Sequence, residues 1–223
     1  MRSAVKKNFL VLAMSLALML FFAGVGLTQT GQKDAKPAGG GTVSEARPAE
    51  PDLEKSIKKA FPDFDNQAKE EVIYADDPGD KTLAQRCDYE PGKGCRVYPV
   101  KKKGELLGFA LVWITDKGFK GVIKLMLGLT PEGEITGMDI LSLQETPQLG
   151  GKIAGDEFQQ QFLKKNLKNT KWMLEKDSGD IRAITGASYS SNAVTGAVKE
   201  ILEFYDQRQA DLKTKAAAGK KPK

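Results

Sequence analysis

Four aliphatic hydroxyl side chains, Thr185, Ser188, Ser190 and Ser191, are gathered in the stretch TGASYSS, directly before an amphipathic run. Val194, Val198, Ile201 and Tyr205 recur at i, i+4, i+7 and i+11, which predicts a helix over 191–208. T-G-A-S therefore sits where a helix N-terminus presents unpaired N–H groups and a partial positive charge. Such a position favours an anion, above all a phosphate. Gly186 and Ala187 remove bulk, so backbone and ligand can approach closely. The same residues also suit a plain helix cap after a glycine turn, and spacing alone does not separate the two readings.

Other chemistries are narrowed by composition. The chain has no histidine, which excludes C-x-x-C-H haem attachment and every metal site that needs imidazole. Glu70-Glu71 and Asp76-Asp77 are adjacent and point apart, which suits solvated faces rather than acid–base catalysis. Cys87 and Cys95, the two cysteines, flank DYEPGKG. In an oxidising compartment they predict a disulfide closing that turn, worth about 2.6 kcal/mol by chain entropy. Two free thiols or a redox-active pair is the other reading, although the spacing is not C-x-x-C. Trp113 and Trp172 offer flat faces to a ring ligand, or burial in the core.

The elements that must position these groups begin after a tethering region. Residues 9–27, FLVLAMSLALMLFFAGVGL, are almost wholly apolar and at helical rise span about 28 Å, close to a bilayer's hydrocarbon thickness. They predict a transmembrane helix behind a cytoplasmic basic segment, 1–8, carrying Arg2, Lys6 and Lys7; a cleavable signal peptide is the alternative. Positive residues stay cytoplasmic, so the remainder is expected outside the cytoplasm. Residues 28–50 read as a flexible linker, 51–210 as one folded domain and 211–223 as a disordered basic tail. Of the net charge of +5, +3 lies on Arg2, Lys6 and Lys7 and +4 on 211–223, leaving −2 for the rest. The body is nearly neutral and offers nothing to nucleic acid.

Within the domain, Asp52 caps an expected helix through LEKSIKKAF. RVYPV, ELLGFALVWIT, GVIKLMLGL and EITGMDILSL read as strands, the last two joined by a T-P-E-G turn at 130–133. DEFQQQFLKKNL reads as a helix with Asp156 as N-cap and Phe158, Phe162 and Leu163 on one face. The fold class expected is α+β, an antiparallel-dominated sheet with packed helices.

The stretch Thr185-Gly186-Ala187-Ser188-Tyr189-Ser190-Ser191 resembles the S/T-G-A-T-x-T/S-S flavinylation motif of the FMN-binding domain family. Glu145-Thr146-Pro147-Gln148-Leu149-Gly150, followed by Gly151-Lys152-Ile153, resembles that family's E-T-P-G-L-G…K-I segment. Gly118-Phe119-Lys120-Gly121, Gly128-Leu129 and Gly133-Glu134-Ile135-Thr136-Gly137 are similar to its K-G-Y-x-G…V-G-I…G-x-I-x-G pattern. The resemblance covers roughly 50–205. It implies FMN joined through its phosphate to Ser188, with Thr185 as second choice. Thr185, Gly186 and Ala187 would shape the loop, and Ser190 or Ser191 would donate to phosphate or cap the helix. Glu145, Thr146 and Leu149 are then expected to border the ring, with Lys152 holding negative charge on reduced flavin or phosphate. From the residues alone, Glu145 reads as well as a solvated loop carboxylate, Leu149 as core and Lys152 as a surface lysine.

Three positions depart from the family's pattern. Ser188 replaces the usual Thr, Gln148 replaces a glycine, and Arg182 stands where Asp is common, with Asp180 two residues earlier. Length and the single N-terminal apolar stretch are most similar to the G subunits of Rnf complexes, relatives of the C subunit of the sodium-translocating NADH:quinone reductase. That likeness implies an inner-membrane, single-pass flavoprotein with its domain on the periplasmic side. It would relay electrons among other membrane and iron–sulfur subunits of a ferredoxin:NAD oxidoreductase coupled to ion translocation. A flavin transferase would load it. The alternative is an unflavinylated structural subunit, or an FMN-binding domain of another extracytoplasmic respiratory assembly.

Overall fold

The computed structural model describes residues 52–75 and 82–219. The basic segment 1–8, the apolar stretch 9–27 and the linker 28–50 lie outside the described residues. Among the described residues no helix is long and apolar enough to cross a membrane. Strands β1 (Ile73–Ala75), β2 (Tyr89–Glu90), β3 (Gly94–Lys102), β4 (Glu105–Thr115), β5 (Ile123–Leu129) and β6 (Ile135–Leu143) make one antiparallel sheet in the order β1-β3-β4-β5-β6, with β2 also on β3. Four helices accompany it: α1 (Leu53–Ala60), α2 (Leu83–Arg86), α3 (Asp156–Gln160) and α4 (Ser188–Ala218). The α+β class and the four long strands are those expected from the sequence.

The central strands read as unbroken apolar runs because both faces of the sheet are covered. On β4, Phe109, Leu111 and Trp113 enter the core shared with α4, while Ala110 and Val112 enter the core shared with α1. Alternation along the strand sends neighbours to opposite faces. Pro99 is accommodated inside β3 because β1 pairs only with residues 95–97, so at Pro99 the far edge of β3 has, among the described residues, no strand partner to need its missing N–H. The T-P-E-G segment turns between β5 and β6, with Gly133 N donating to Thr130 O at 2.9 Å.

Helix α1 begins as the sequence predicts, Asp52 accepting from Glu54 N at 3.1 Å. It sits close against β5 and β6 because Gly128 and Gly137, paired across the strands, carry no side chain there. A Cβ on Gly137 would lie 2.7 Å from Ala60 Cα. Lys59 then ties the helix to Asp139 at 3.3 Å and Asp156 at 3.1 Å.

Two helices depart from the sequence reading. Helix α4 starts at Ser188 and runs to Ala218, about 46 Å at helical rise, so residues 211–218 are ordered helix and not part of a disordered tail. Leu212 and Ala216 are 0% and 4% exposed, and Lys215 Nζ donates to Tyr74 O of β1 at 2.8 Å. The last turns are therefore held by the edge of the sheet. Helix α3 is shorter than expected, and Gly155, not Asp156, is its N-cap. Lys164 N donates to Ile135 O and Ile135 N to Lys165 O, both at 2.9 Å, which pulls the chain off the helical path onto the start of β6. Leu163 is left exposed as a result. Cys87 and Cys95 are disulfide-bonded. Trp113 and Trp172 are both buried, the first against Phe204 and the second stacked on Phe162.

Candidate functional site

Three segments far apart in sequence meet at one end of the sheet: the β4–β5 connection (116–122), the turn after β6 (144–150), and the loop and first turn of α4 (184–191). Hydrogen bonds and ring contacts between them define the site. The run Ile181–Ile184 that leads into it makes a single parallel bridge, Leu174 to Ile181, rather than a strand.

Gly186 takes φ of +77°, a left-handed conformation that glycine adopts without strain, and this turns the chain into α4. Ala187 is the N-cap and has no side chain to give, so no side-chain hydrogen bond caps the helix. The amides of Ser188, Tyr189 and Ser190 thus begin a long helix with no intrahelical acceptor. The first helical bond is Ser191 N to Ala187 O, at 3.0 Å.

The hydroxyls divide into two groups. Ser190 and Ser191 are 1% and 0% exposed. Ser190 Oγ donates to Glu145 Oε2 at 2.7 Å, and Ser191 Oγ accepts from Ile184 N at 3.0 Å and donates to Ala187 O at 2.9 Å. Both therefore hold the loop in shape, and neither is free to donate to a phosphate. Ser188 is half-buried and Thr185 exposed, and neither hydroxyl is hydrogen-bonded among the described residues. Of the two, Ser188 lies in the first turn itself.

Glu145 is not a solvated loop carboxylate. It is 7% exposed; Oε1 accepts from Lys120 N at 3.1 Å and Oε2 from Ser190. Two glycines make its socket. A Cβ on Gly118 would come within 2.6 Å of Oε1, and one on Gly150 would overlap both Oε2 and Ser190 Oγ. Both carboxylate oxygens are occupied internally, so Glu145 supports the site rather than edging it. Thr146, half-buried, shapes the turn through its carbonyl, which accepts from Leu149 N at 3.0 Å and Gly151 N at 2.8 Å. Leu149 is 47% exposed and lies beside Gly186, so it is part of the rim and not of the core. Lys152 is exposed and, like Lys120, makes no salt bridge among the described residues. Arg182 pairs with Glu157 at 3.1 Å, and Asp180 accepts from Lys171 N.

Two rim residues were not singled out from the sequence. Phe119 and Tyr189 are 68% and 72% exposed, yet their rings meet at 5.9 Å with planes inclined by 42°. The signal available was an aromatic flanked by Gly118 and Gly121, and another between two motif serines; what it lacked was the contact across 70 positions of chain. Together the rim offers an oxygen nucleophile, amides suited to an anion, and exposed aromatic and aliphatic surface suited to a flat ring. These features fit a phosphate-bearing ring cofactor such as FMN.

Comparison with known proteins agrees with that chemistry. The model of the FMN-binding domain family matches residues 118–203, which contain all three site segments but for the first two residues of the β4–β5 connection. The G subunit of an ion-translocating oxidoreductase complex from Aliivibrio fischeri is 35% identical over 123 residues, 53% of this chain and 59% of that protein. A protein of the same description from Vibrio cholerae is 33% identical over 147 residues, 60% of this chain and 69% of that protein. In Acetobacterium woodii, the G subunit of a Na(+)-translocating ferredoxin:NAD(+) oxidoreductase complex is 33% identical over 119 residues, 52% and 58% of the two chains. The chain spans less than two thirds of the first and third of these curated relatives. Shared identity over more than two thirds of the Vibrio cholerae protein, with the matched segments converging on one site, establishes that this chain belongs to the FMN-binding domain family.

Proposed function

We propose that this chain is a flavoprotein subunit that carries FMN esterified through its phosphate to Ser188 and relays electrons within an Rnf-type ferredoxin:NAD oxidoreductase complex coupled to ion translocation. The observation that carries the reading is the division among the hydroxyls. Ser190 and Ser191 are spent on internal bonds, whereas Ser188 is unbonded among the described residues at the uncapped start of a 31-residue helix.

In the attachment step, Ser188 Oγ forms a bond to the phosphorus of a flavin dinucleotide, and the bond from that phosphorus to the nucleotide leaving group breaks. The leaving group keeps the electron pair, and the hydroxyl's proton passes to solvent. A flavin transferase is the catalyst this requires. The amides of Ser188, Tyr189 and Ser190, at the electropositive helix end, would hold the single remaining phosphate charge. Leu149, Phe119 and Tyr189 would cover a flat ring, and the exposed Lys152 and Lys120 would be available to offset negative charge on it. Serine in place of threonine offers the same oxygen without the β-methyl that restricts rotation. Bound FMN supplies the electron-carrying chemistry.

The remaining parts of the proposal rest on the family and the sequence. Residues 9–27 are the membrane anchor, 28–50 the linker, and the domain lies on the periplasmic side among membrane and iron–sulfur subunits. The names of the relatives, G subunits of ion-translocating and ferredoxin:NAD oxidoreductase complexes, support membership of such a complex; the anchor, the linker and the side of the membrane rest on the sequence pattern alone. The test is to co-express the full chain with a flavin transferase, denature it in a gel and read flavin fluorescence. Fluorescence in the wild type and in Ser188→Thr, absent in Ser188→Ala and retained in Thr185→Ala, supports the assignment. A dark wild-type band points instead to an unflavinylated structural subunit.

A further inference from the structure

We propose that Glu145 is a positioning residue: its buried carboxylate latches the β4–β5 connection to the first turn of α4, and so aims Ser188 and sets Phe119 and Tyr189 beside it. This rests on the reading of Ser188 as the flavin-bearing residue.

The geometry is specific. One oxygen of Glu145 receives the amide of Lys120 and the other the hydroxyl of Ser190, at 3.1 and 2.7 Å. Each anchored residue is the immediate neighbour of one ring of the aromatic pair: Lys120 follows Phe119, and Ser190 follows Tyr189. The rings are 68% and 72% exposed, so burial contributes little to holding them 5.9 Å apart. Their arrangement has to come from the backbone on either side, and the carboxylate is what joins those two backbones. The same bond fixes the rotation of the helix. Residues two apart on an α-helix differ by about 200° in direction, so drawing Ser190 inward turns Ser188 outward.

The carboxylate forms no salt bridge among the described residues, and a buried charge without an ionic partner has to be held by hydrogen bonds. Gly118 and Gly150 lie against its two oxygens, where a Cβ on either would collide with the carboxylate.

Glutamine separates geometry from charge. In Glu145→Gln the amide oxygen accepts from Lys120 N and the amide nitrogen donates to Ser190 Oγ, so the latch survives without its charge. In Glu145→Ala both bonds are lost; Ser190→Ala removes the helix anchor alone and is a near-isosteric change that keeps the fold testable. Two readouts are needed on the full chain. The first is hydrogen exchange, in flavin-free protein, at the Lys120 amide and at the Ser191 amide, the first that is bonded within α4. The second is the fraction of Ser188 modified after a timed exposure to flavin transferase and flavin dinucleotide.

The latch requires faster exchange at Lys120 in Glu145→Ala, faster exchange at the Ser191 amide in both alanine variants, and a rate of modification lower by about 10-fold or more in both, the shift one lost charge-assisted hydrogen bond brings. Glu145→Gln should stay within about 3-fold of wild type on both readouts. Wild-type exchange in Glu145→Ala, or a Glu145→Gln as defective as the alanine, overturns the proposal. If wild type takes up no flavin, the reading of Ser188 fails, and the exchange data still decide whether the latch exists.

Discussion

Gly150→Ala probes the centre of the site with one methyl group. Gly150 has no positive φ, so alanine is compatible with its backbone and the effect is steric. The added Cβ would overlap Glu145 Oε2 and Ser190 Oγ at once, the two atoms that share a 2.7 Å hydrogen bond. Overpacking a filled site costs about 1–3 kcal/mol. Displacing a buried hydrogen bond to a carboxylate costs about 1.5–3 kcal/mol. Partial relaxation by one route spares part of the other, which makes about 3 kcal/mol the expected loss. With a urea m-value of about 2 kcal/mol/M, the midpoint should fall by about 1.5 M. Gly151→Ala is the control, since its Cβ meets nothing nearer than Thr146 O at 3.2 Å, and it should cost less than about 1 kcal/mol. The assay is equilibrium urea unfolding of both variants, followed by tryptophan fluorescence. A Gly150→Ala midpoint within about 0.3 M of wild type, about 0.6 kcal/mol at that m-value, would refute the packing described around Glu145.

Other perturbations test the rest of the frame. Leu212→Ala should lose about 2–4 kcal/mol, because Leu212 is fully buried on the inner face of α4 near its end, whereas a solvated tail would show no change in urea midpoint. Replacing Cys87 and Cys95 together by alanine should lower stability by about 2–3 kcal/mol, read from the same unfolding curve, and an unchanged midpoint would contradict it. Burial raises the Tyr205 phenol above the ordinary tyrosine range, with Glu132 adding to the effect, and burial raises Tyr98, with Asp88 adding to it. A raised pKa means that the stability is fully present below the unfolded value of about 10 and is lost as pH rises above it. Urea midpoints should therefore fall from pH 9 to 11, each tyrosine contributing up to about 1.4 kcal/mol per pH unit. Tyr205→Phe should flatten that fall and cost about 1 kcal/mol at pH 8 through the lost bond to Pro131 O; an equally steep fall would count against it.

Long periodic elements were legible in the sequence. Val194, Val198, Ile201 and Tyr205 are all at most 1% exposed, because a 3.6-residue spacing has one way to bury its apolar stripe. The four long strands were legible through apolar content alone. β1, β2 and α2 are two to four residues long, too short for any period to register. The end of α4 was hidden by composition: Leu212 and Ala216 sit among lysines, and it is the edge of the sheet, not local propensity, that orders them. The site was legible as a motif and illegible as a geometry. Nothing around Glu145 indicates that its partner is a serine 45 residues later, and nothing around Phe119 indicates Tyr189. Which of four hydroxyls is available was likewise decided by tertiary bonds, since Ser190 and Ser191 are the pair the fold consumes.

The most direct test is the mass of the peptide bearing Ser188, taken from full-length protein isolated from its own cells, denatured and washed free of loose ligand. An increase equal to one FMN less one water, located on Ser188 by fragmentation, is the result expected. An unmodified Ser188, or the same increase on Thr185, would contradict the assignment.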